Sequence, residues 1–402
     1  MKILMLTPYL PYPPSSGGQV RSYNLIKNLA KDHQITLFSL IKDDEEKKYI
    51  KELEKYCRLV KVFKRSEKPW TLKNILRTGF SLYPFLVIRN LAAREKQAVE
   101  KELKADKYDL IHAETFYVMP HLPETFIPIV LTDQTIEYQV YQHFVKNFWF
   151  WPLKPFLYFD VLKLRFWEKK FWQKANKVIA VSQSDRKKML SLDPKLDVGV
   201  VPNGAGEDLM ALWPKKTDSK SEVKILFQAN FLWLQNTEAA LFLVKEIFPL
   251  IKKEIPEAIC QIVGQKAEEK LKQINQEGVK IIDLENDDIE GVKKAYREAS
   301  VFLSPLSGPG GTRLKILGAM AAGVPIVTSP VGIEGIDAQD GVQVLIRKNP
   351  KDLAKAVVKI LKDKDFYQKI TKEARSLVEK KYSYQAVAKT LDRIYKEVAD
   401  GK

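Results

Sequence analysis

Residues 308–315 read Gly-Pro-Gly-Gly-Thr-Arg-Leu-Lys, a grouping of glycines, a hydroxyl and two cations suited to holding an anion. Gly308, Gly310 and Gly311 let backbone approach a ligand closely. Thr312 suits the N-cap of a helix expected over 313–322. A helix start presents unpaired N–H groups and a positive dipole end, which fits a phosphate, and Arg313 and Lys315 add charge there. The same glycines would also punctuate an ordinary loop. Leu314, Leu317 and Ala321 fall at helical spacing, and Gly323 followed by Pro325 ends the helix. Gly318 is the odd residue, because glycine inside a helix costs about 1 kcal/mol relative to alanine.

The first half carries a second set of reactive groups. His112 and Glu114 close the run DLIHAE, 109–114. A histidine at a strand end can hydrogen-bond a ligand or act as acid or base, and it can also be purely structural. Asp133 and Glu137, in DQTIEY, add two carboxylates; which of these acids is a base stays open. No Cys/His cluster has zinc spacing. The one DxD, Asp363-Lys364-Asp365, lies between two helical runs and reads as helix capping, so neither metal nor cofactor is expected. No GxGxxG follows the first strand directly, which argues against a dinucleotide oxidoreductase.

The elements that must position these groups alternate. Strands are expected at 2–8, 34–40, 59–65, 109–114, 128–133, 177–182 and 199–203, then at 223–229, 258–264, 279–285, 301–306 and 325–330. Helices are expected over 20–32, 94–106, 236–254, 288–299, 313–322, 350–362 and about 384–399. Residues 215–222 have the composition of a linker. With 402 residues, two domains of roughly 150–200 residues are the prior. The pattern is therefore α/β: two doubly wound, Rossmann-like domains facing across a cleft, with ligands at the carboxyl ends of the strands. No run of apolar residues is long enough to span a membrane. The opening Met1–Pro8 reads as a strand and not as a secretory signal. Cys57 and Cys260 suggest no disulfide framework and fit a reducing cytoplasm. The net charge of +16 draws the protein toward anions.

Several of these stretches resemble glycosyltransferase family 4, the large retaining family with the GT-B fold. TPYLPYPPSSGGQVRSYNLIKNLAK looks like its first strand and glycine loop. AVSQSDRKKML (180–190) and VPNGAG (201–206) look like the end of its amino-terminal domain. Residues 229–264 look like the opening of its donor domain, and GGTRLKILGAMAAGVPIVTSPVGIEGI (310–336) is the most specific block. The resemblance implies an acceptor-binding domain over 1–205, a nucleotide-sugar domain over 206–383, and a C-terminal helix, about 384–402, packing back on the first. It implies donor contacts at Gly17, Gly18, Asn203, Gly311, Thr312, Arg313 and Lys315, and catalytic groups among His112, Glu114 and Glu137. The family usually shows two glutamates across the specific block; here their places are Gly310 and Gly318. Glu334 is the nearest carboxylate that could meet a ribose instead. Gly318→Glu is then expected to tighten donor binding by roughly 1–3 kcal/mol. Gln134 stands where the family often has a histidine.

The activity implied is a retaining, metal-independent, hexosyltransferase-like glycosyltransferase. It would act on a nucleotide-sugar and a glycan or lipid-linked acceptor, in cell-envelope polysaccharide or glycolipid synthesis. The alternative is an impaired enzyme that only binds sugar nucleotides or glycans. Residues 146–177 hold eleven aromatics and eight Lys/Arg against two acids. That mixture suits a helix lying on an anionic membrane surface, and also a buried aromatic helix with solvated lysines. The location expected is cytoplasmic, peripheral at the inner face of the plasma membrane. Nucleic acid is not an expected partner, because the charge accompanies no recognised module.

Overall fold

The computed structural model describes residues 1–213, 222–285, 288–308 and 314–401. Most of the linker stretch, together with Gly310, Gly311, Thr312 and Arg313, lies outside the described residues. The chain divides into two compact units, Met1–Pro202 with Ala388–Lys402, and Asn203–Val387.

The first unit is built on a sheet of seven strands: β1 (Lys2–Thr7), β2 (Gln34–Ile41), β3 (Leu59–Lys64), β4 (Leu110–Glu114), β5 (Ile129–Asp133), β6 (Lys177–Ala180) and β7 (Val198–Val200). Their order is β3-β2-β1-β4-β5-β6-β7, and every neighbouring pair is parallel. β1, β4 and β5 are buried almost end to end, which is why they read as unbroken apolar runs and not as alternating ones. The second unit carries six parallel strands: β8 (Lys224–Gln228), β9 (Ile259–Gly264), β10 (Val279–Asp283), β11 (Val301–Ser304), β12 (Ile326–Thr328) and β13 (Leu345–Ile346), in the order β10-β9-β8-β11-β12-β13. In each sheet the winding reverses once, between β1 and β4 and between β8 and β11, and an open α/β sheet forms its ligand crevice at such a point.

Differences from expectation are local and have physical causes. The strand expected at 199–203 ends at Val200, just before Pro202. β13 is two residues long, too short for a sequence pattern. The helix expected over 236–254 is Leu234–Phe242, one wide turn at Leu243–Ile247, then Phe248–Glu254. Pro249 lacks an N–H and its ring crowds the preceding turn, so the widened turn absorbs the misfit. Asp363 caps the helix Lys364–Leu377, its carboxylate accepting from the Phe366 N–H at 2.9 Å. Gly323 closes the helix Leu314–Ala321 at a φ of 71°, a left-handed conformation open to glycine.

Candidate active site

In the first unit, the carboxyl ends of β1, β4 and β5 carry a buried polar network. Parallel register sets His112 between Met5 and Val130, and Glu114 beside Thr132. His112 Nε2 donates to Glu114 Oε2 at 2.9 Å. Its Nδ1 then accepts from the hydroxyl of Tyr395, carried by the C-terminal helix Tyr384–Ala399. Glu114 Oε1 accepts from Gln134 Nε2 at 2.6 Å and pairs with Arg21 Nε at 3.4 Å. The Gln134 amide also donates to the Tyr9 hydroxyl at 2.9 Å. His112, Glu114 and Arg21 are wholly buried, and only Tyr9 and Gln134 reach toward solvent. Burial alone would raise the Glu114 carboxyl; the His112 bond, the Arg21 charge and the Gln134 amide outweigh it and hold the group below its ordinary range.

Gly17 and Gly18 open the helix Gly17–Leu29, whose N-cap is Ser16. A Cβ on Gly18 would lie 2.3 Å from the Tyr9 hydroxyl, so the bare glycine lets Tyr9 settle against the helix and reach Gln134.

Glu137 belongs to a neighbouring cluster with Asp133 and Glu168. Asp133 accepts from the Phe116 N–H at 3.1 Å and from the Trp172 indole N–H. Glu168 accepts from the N–H groups of Glu137 (2.8 Å) and Tyr138 (3.2 Å). It thereby caps the helix Glu137–Lys146, which has no cap of its own. Burial pushes Asp133 and Glu137 each up to about 7. Burial, then the charge of Asp133, drives Glu168 well above the carboxylate range. Groups poised near neutrality can give or take a proton at working pH.

In the second unit, Lys315 stands in the first turn of the helix Leu314–Ala321. Its Nζ donates to Asn236 Oδ1 at 2.7 Å and sits 5.1 Å above the Phe227 ring. Asn236 is itself fixed, its amide donating to the Asn230 carbonyl at 2.7 Å. The cation is thus moored beside the carboxyl end of β8, at the reversal between β8 and β11. Asn203 is buried, and Glu334 is exposed in the turn after β12. The loop before Glu334 is fastened to the sheet: Thr328 Oγ1 donates to the Ser304 carbonyl at 2.8 Å, and the Gly332 N–H donates to Ser329 Oγ at 3.0 Å.

Gly318 is closely packed. A Cβ there would lie 3.0 Å from Leu209 Cδ1 and 3.1 Å from the Tyr296 hydroxyl. That hydroxyl donates to the Lys315 carbonyl at 3.0 Å, so the ring is anchored in the space a side chain would need. A side chain at this position requires Tyr296 and Leu209 to give by a few tenths of an ångström. That adjustment opposes the tightening expected of Gly318→Glu.

The sequence reading overlooked Arg21, Asn236, Tyr296, Glu168 and Tyr395 as site residues. Tyr395 meets His112 across 283 positions, and no local spacing announces such a contact. Glu168 did carry a signal: it is one of only two acids in a cationic, aromatic helix.

Residues 15–208 match the family described as Glycosyltransferase Family 4, and residues 222–363 match Glycosyl transferases group 1. The chain belongs to glycosyltransferase family 4. It is 21% identical over 411 residues to the uncharacterized 44.6 kDa protein in the cps region of Klebsiella pneumoniae, covering 98% of this chain and 99% of that protein. The fold of this glycosyltransferase is similar to that of a Rickettsia africae glycosyltransferase, with a TM-score of 0.67, 16% identity, and 100% and 99% of the two chains covered. It is also similar to HepE of Anabaena in complex with UDP-glucose, with a TM-score of 0.65, 15% identity, and 99% and 100% covered. The architecture shared with these structures is GT-B: two parallel-sheet, Rossmann-like domains.

Proposed function

We propose that this glycosyltransferase moves a sugar from a nucleotide-sugar to a glycan or lipid-linked acceptor, with retention and without a metal, in the synthesis of cell-envelope polysaccharide or glycolipid. The observation that carries the reading is Lys315, a partly buried cation moored by Asn236 and Phe227 at the sheet reversal of the second unit. A preorganised cation beside a helix start suits the charge that develops on a departing diphosphate. Arg313 and the amides of Gly311 and Thr312 precede it in sequence and would share that work, with Asn203, Gly17 and Gly18 completing the donor contacts. Glu334, exposed, is free to meet a ribose hydroxyl. In the first unit, Glu114 orients His112, and Glu137 is the partly exposed carboxylate poised to exchange a proton.

Two relatives support the substrate classes: HepE binds UDP-glucose, and the Klebsiella protein lies in a cps region. A lipid-linked acceptor would hold the protein at the inner face of the plasma membrane.

The test is thermal stabilisation by a panel of UDP-, GDP-, ADP- and TDP-sugars, followed by turnover with the best donor in the presence and absence of chelator. Bound donor raises Tm according to its concentration over Kd. Stabilisation with chelator-insensitive turnover supports the proposal. Stabilisation without turnover or donor hydrolysis selects a sugar-nucleotide or glycan binding protein, a reading motivated by Gly310 and Gly318 standing where the family's glutamates would be. No stabilisation by any donor overturns both.

A further inference from the structure

A group of exposed apolar side chains lies in the first unit, on the outer side of the helix whose buried side carries Glu168. The helix Lys154–Lys174 buries one stripe, including Val161, Leu164 and Trp172, against the core. The opposite stripe, Phe159, Leu162 and Phe166, is exposed. The segment preceding this helix adds Trp149 at 85% exposure and Trp151 at 77%.

A second element, absent from the sequence reading, joins this face. The helix Leu72–Phe80 exposes Leu72, Ile75, Leu76 and Phe80, the last at 93%. Contacts stitch the two helices together. Lys163 Nζ donates to the carbonyls of Thr78 (2.8 Å) and Ser81 (3.0 Å), and the Trp167 indole donates to the Leu82 carbonyl at 2.9 Å. The apolar rows therefore belong to one surface and not to two scattered sites. A monomer in water rarely leaves so many large apolar groups uncovered together.

Charge identifies the occupant. Residues 68–82 contain Lys68, Lys73 and Arg77, all exposed, and no acid. In 146–170 the exposed cations include Lys146, Arg165 and Lys170, and the only acids, Asp160 and Glu168, are buried. A second copy of the same face would set cation against cation. An anionic bilayer offers apolar depth beneath a negative surface, and tryptophans favour that boundary.

We infer that residues 70–82 and 149–166 form a two-helix docking face for an anionic lipid membrane, with Phe80, Trp149 and Trp151 entering the bilayer boundary and the flanking cations resting on its headgroups. The inference bears on the lipid-linked branch of the proposed function, but vesicle binding is read without donor and donor stabilisation without vesicles, so either can fail alone.

The experiment is cosedimentation of the full chain with vesicles of equal parts phosphatidylglycerol and phosphatidylcholine, and with phosphatidylcholine alone. Binding to the anionic vesicles, weakened by salt and at least tenfold weaker on the neutral ones, is expected. The double variant Phe80→Ser, Trp151→Ser should lose at least a further tenfold, with Tm unchanged because both side chains are exposed. As a check that needs no variant, brominated acyl chains in the anionic vesicles should quench tryptophan emission of the unaltered protein. Absence of vesicle binding, equal binding to neutral vesicles, undiminished binding by the double variant, or a solution dimer dissociated by that variant would each overturn the inference.

Discussion

The two candidate sites hold their charges in opposite ways. In the first unit Arg21, Glu114 and His112 are wholly buried and bonded to one another, and Tyr395 closes the set from the C-terminal helix. In the second, Lys315 is partly buried, and its contacts include the Asn236 amide and the Phe227 ring. A closed network fixes geometry at the expense of desolvation, and every member depends on the others. A cation at a partly exposed position can be reached by a ligand. The contrast predicts that breaking the buried Glu114 network acts mainly on folding, and that removing Lys315 acts mainly on donor binding.

The sharpest way to break that comparison is Glu114→Ala. It leaves the Arg21 charge buried without its carboxylate and removes the acceptor of His112 and Gln134. A loss of about 3–5 kcal/mol of stability is expected in urea denaturation. A loss below about 1 kcal/mol would mean that the network is open to water. Lys315→Ala is the counterpart. Stability should change by about 1 kcal/mol or less, while nucleotide-sugar affinity, read by thermal shift or KM, should fall by about 10–100-fold, the worth of one charge-assisted hydrogen bond. Unchanged affinity would remove the cation from the donor site.

Gly318→Glu sharpens the comparison within the second unit. Overpacking against Tyr296 and Leu209 should lower stability by about 1–3 kcal/mol without improving donor affinity. Tighter binding with intact stability would show that the tyrosine swings aside. The smallest effect concerns Glu137, held at about 7 in the folded protein against an ordinary value of 4.5. Folding keeps its proton to higher pH, so its contribution to stability is full below about pH 4 and is lost as pH rises through 7. Glu137→Gln should therefore gain on the unaltered protein between pH 5 and pH 8, by on the order of 1 kcal/mol in unfolding free energy from urea denaturation, less than the full shift implies because the residue is partly exposed. A flat difference would place Glu137 in water.

Much of the scaffold was legible because parallel strands buried on both faces must be apolar throughout, and because caps are short-range chemistry. β1, β4 and β5, the Asp363 cap and the Gly323 stop all rest on neighbours within a few residues. The missed features rest on distant ones. The Leu72–Phe80 helix exposes its leucines and phenylalanine, inverting the rule that apolar residues mark the core. The widened turn at Leu243–Ile247 answers a proline that a simple helical pattern passes over.

By itself the sequence determined the alternation of strands and helices, the positions of His112, Glu114 and Lys315 at the ends of elements, and the excess of positive charge, since each follows from local spacing and composition. Only the tertiary structure decided that Tyr395 reaches His112, that Arg21 and Gln134 share Glu114, that Asn236 moors Lys315, and that Tyr296 closes the space beside Gly318. Those contacts join residues far apart along the chain, and packing, with the need to satisfy buried polar groups, selects them from many that the sequence alone would allow.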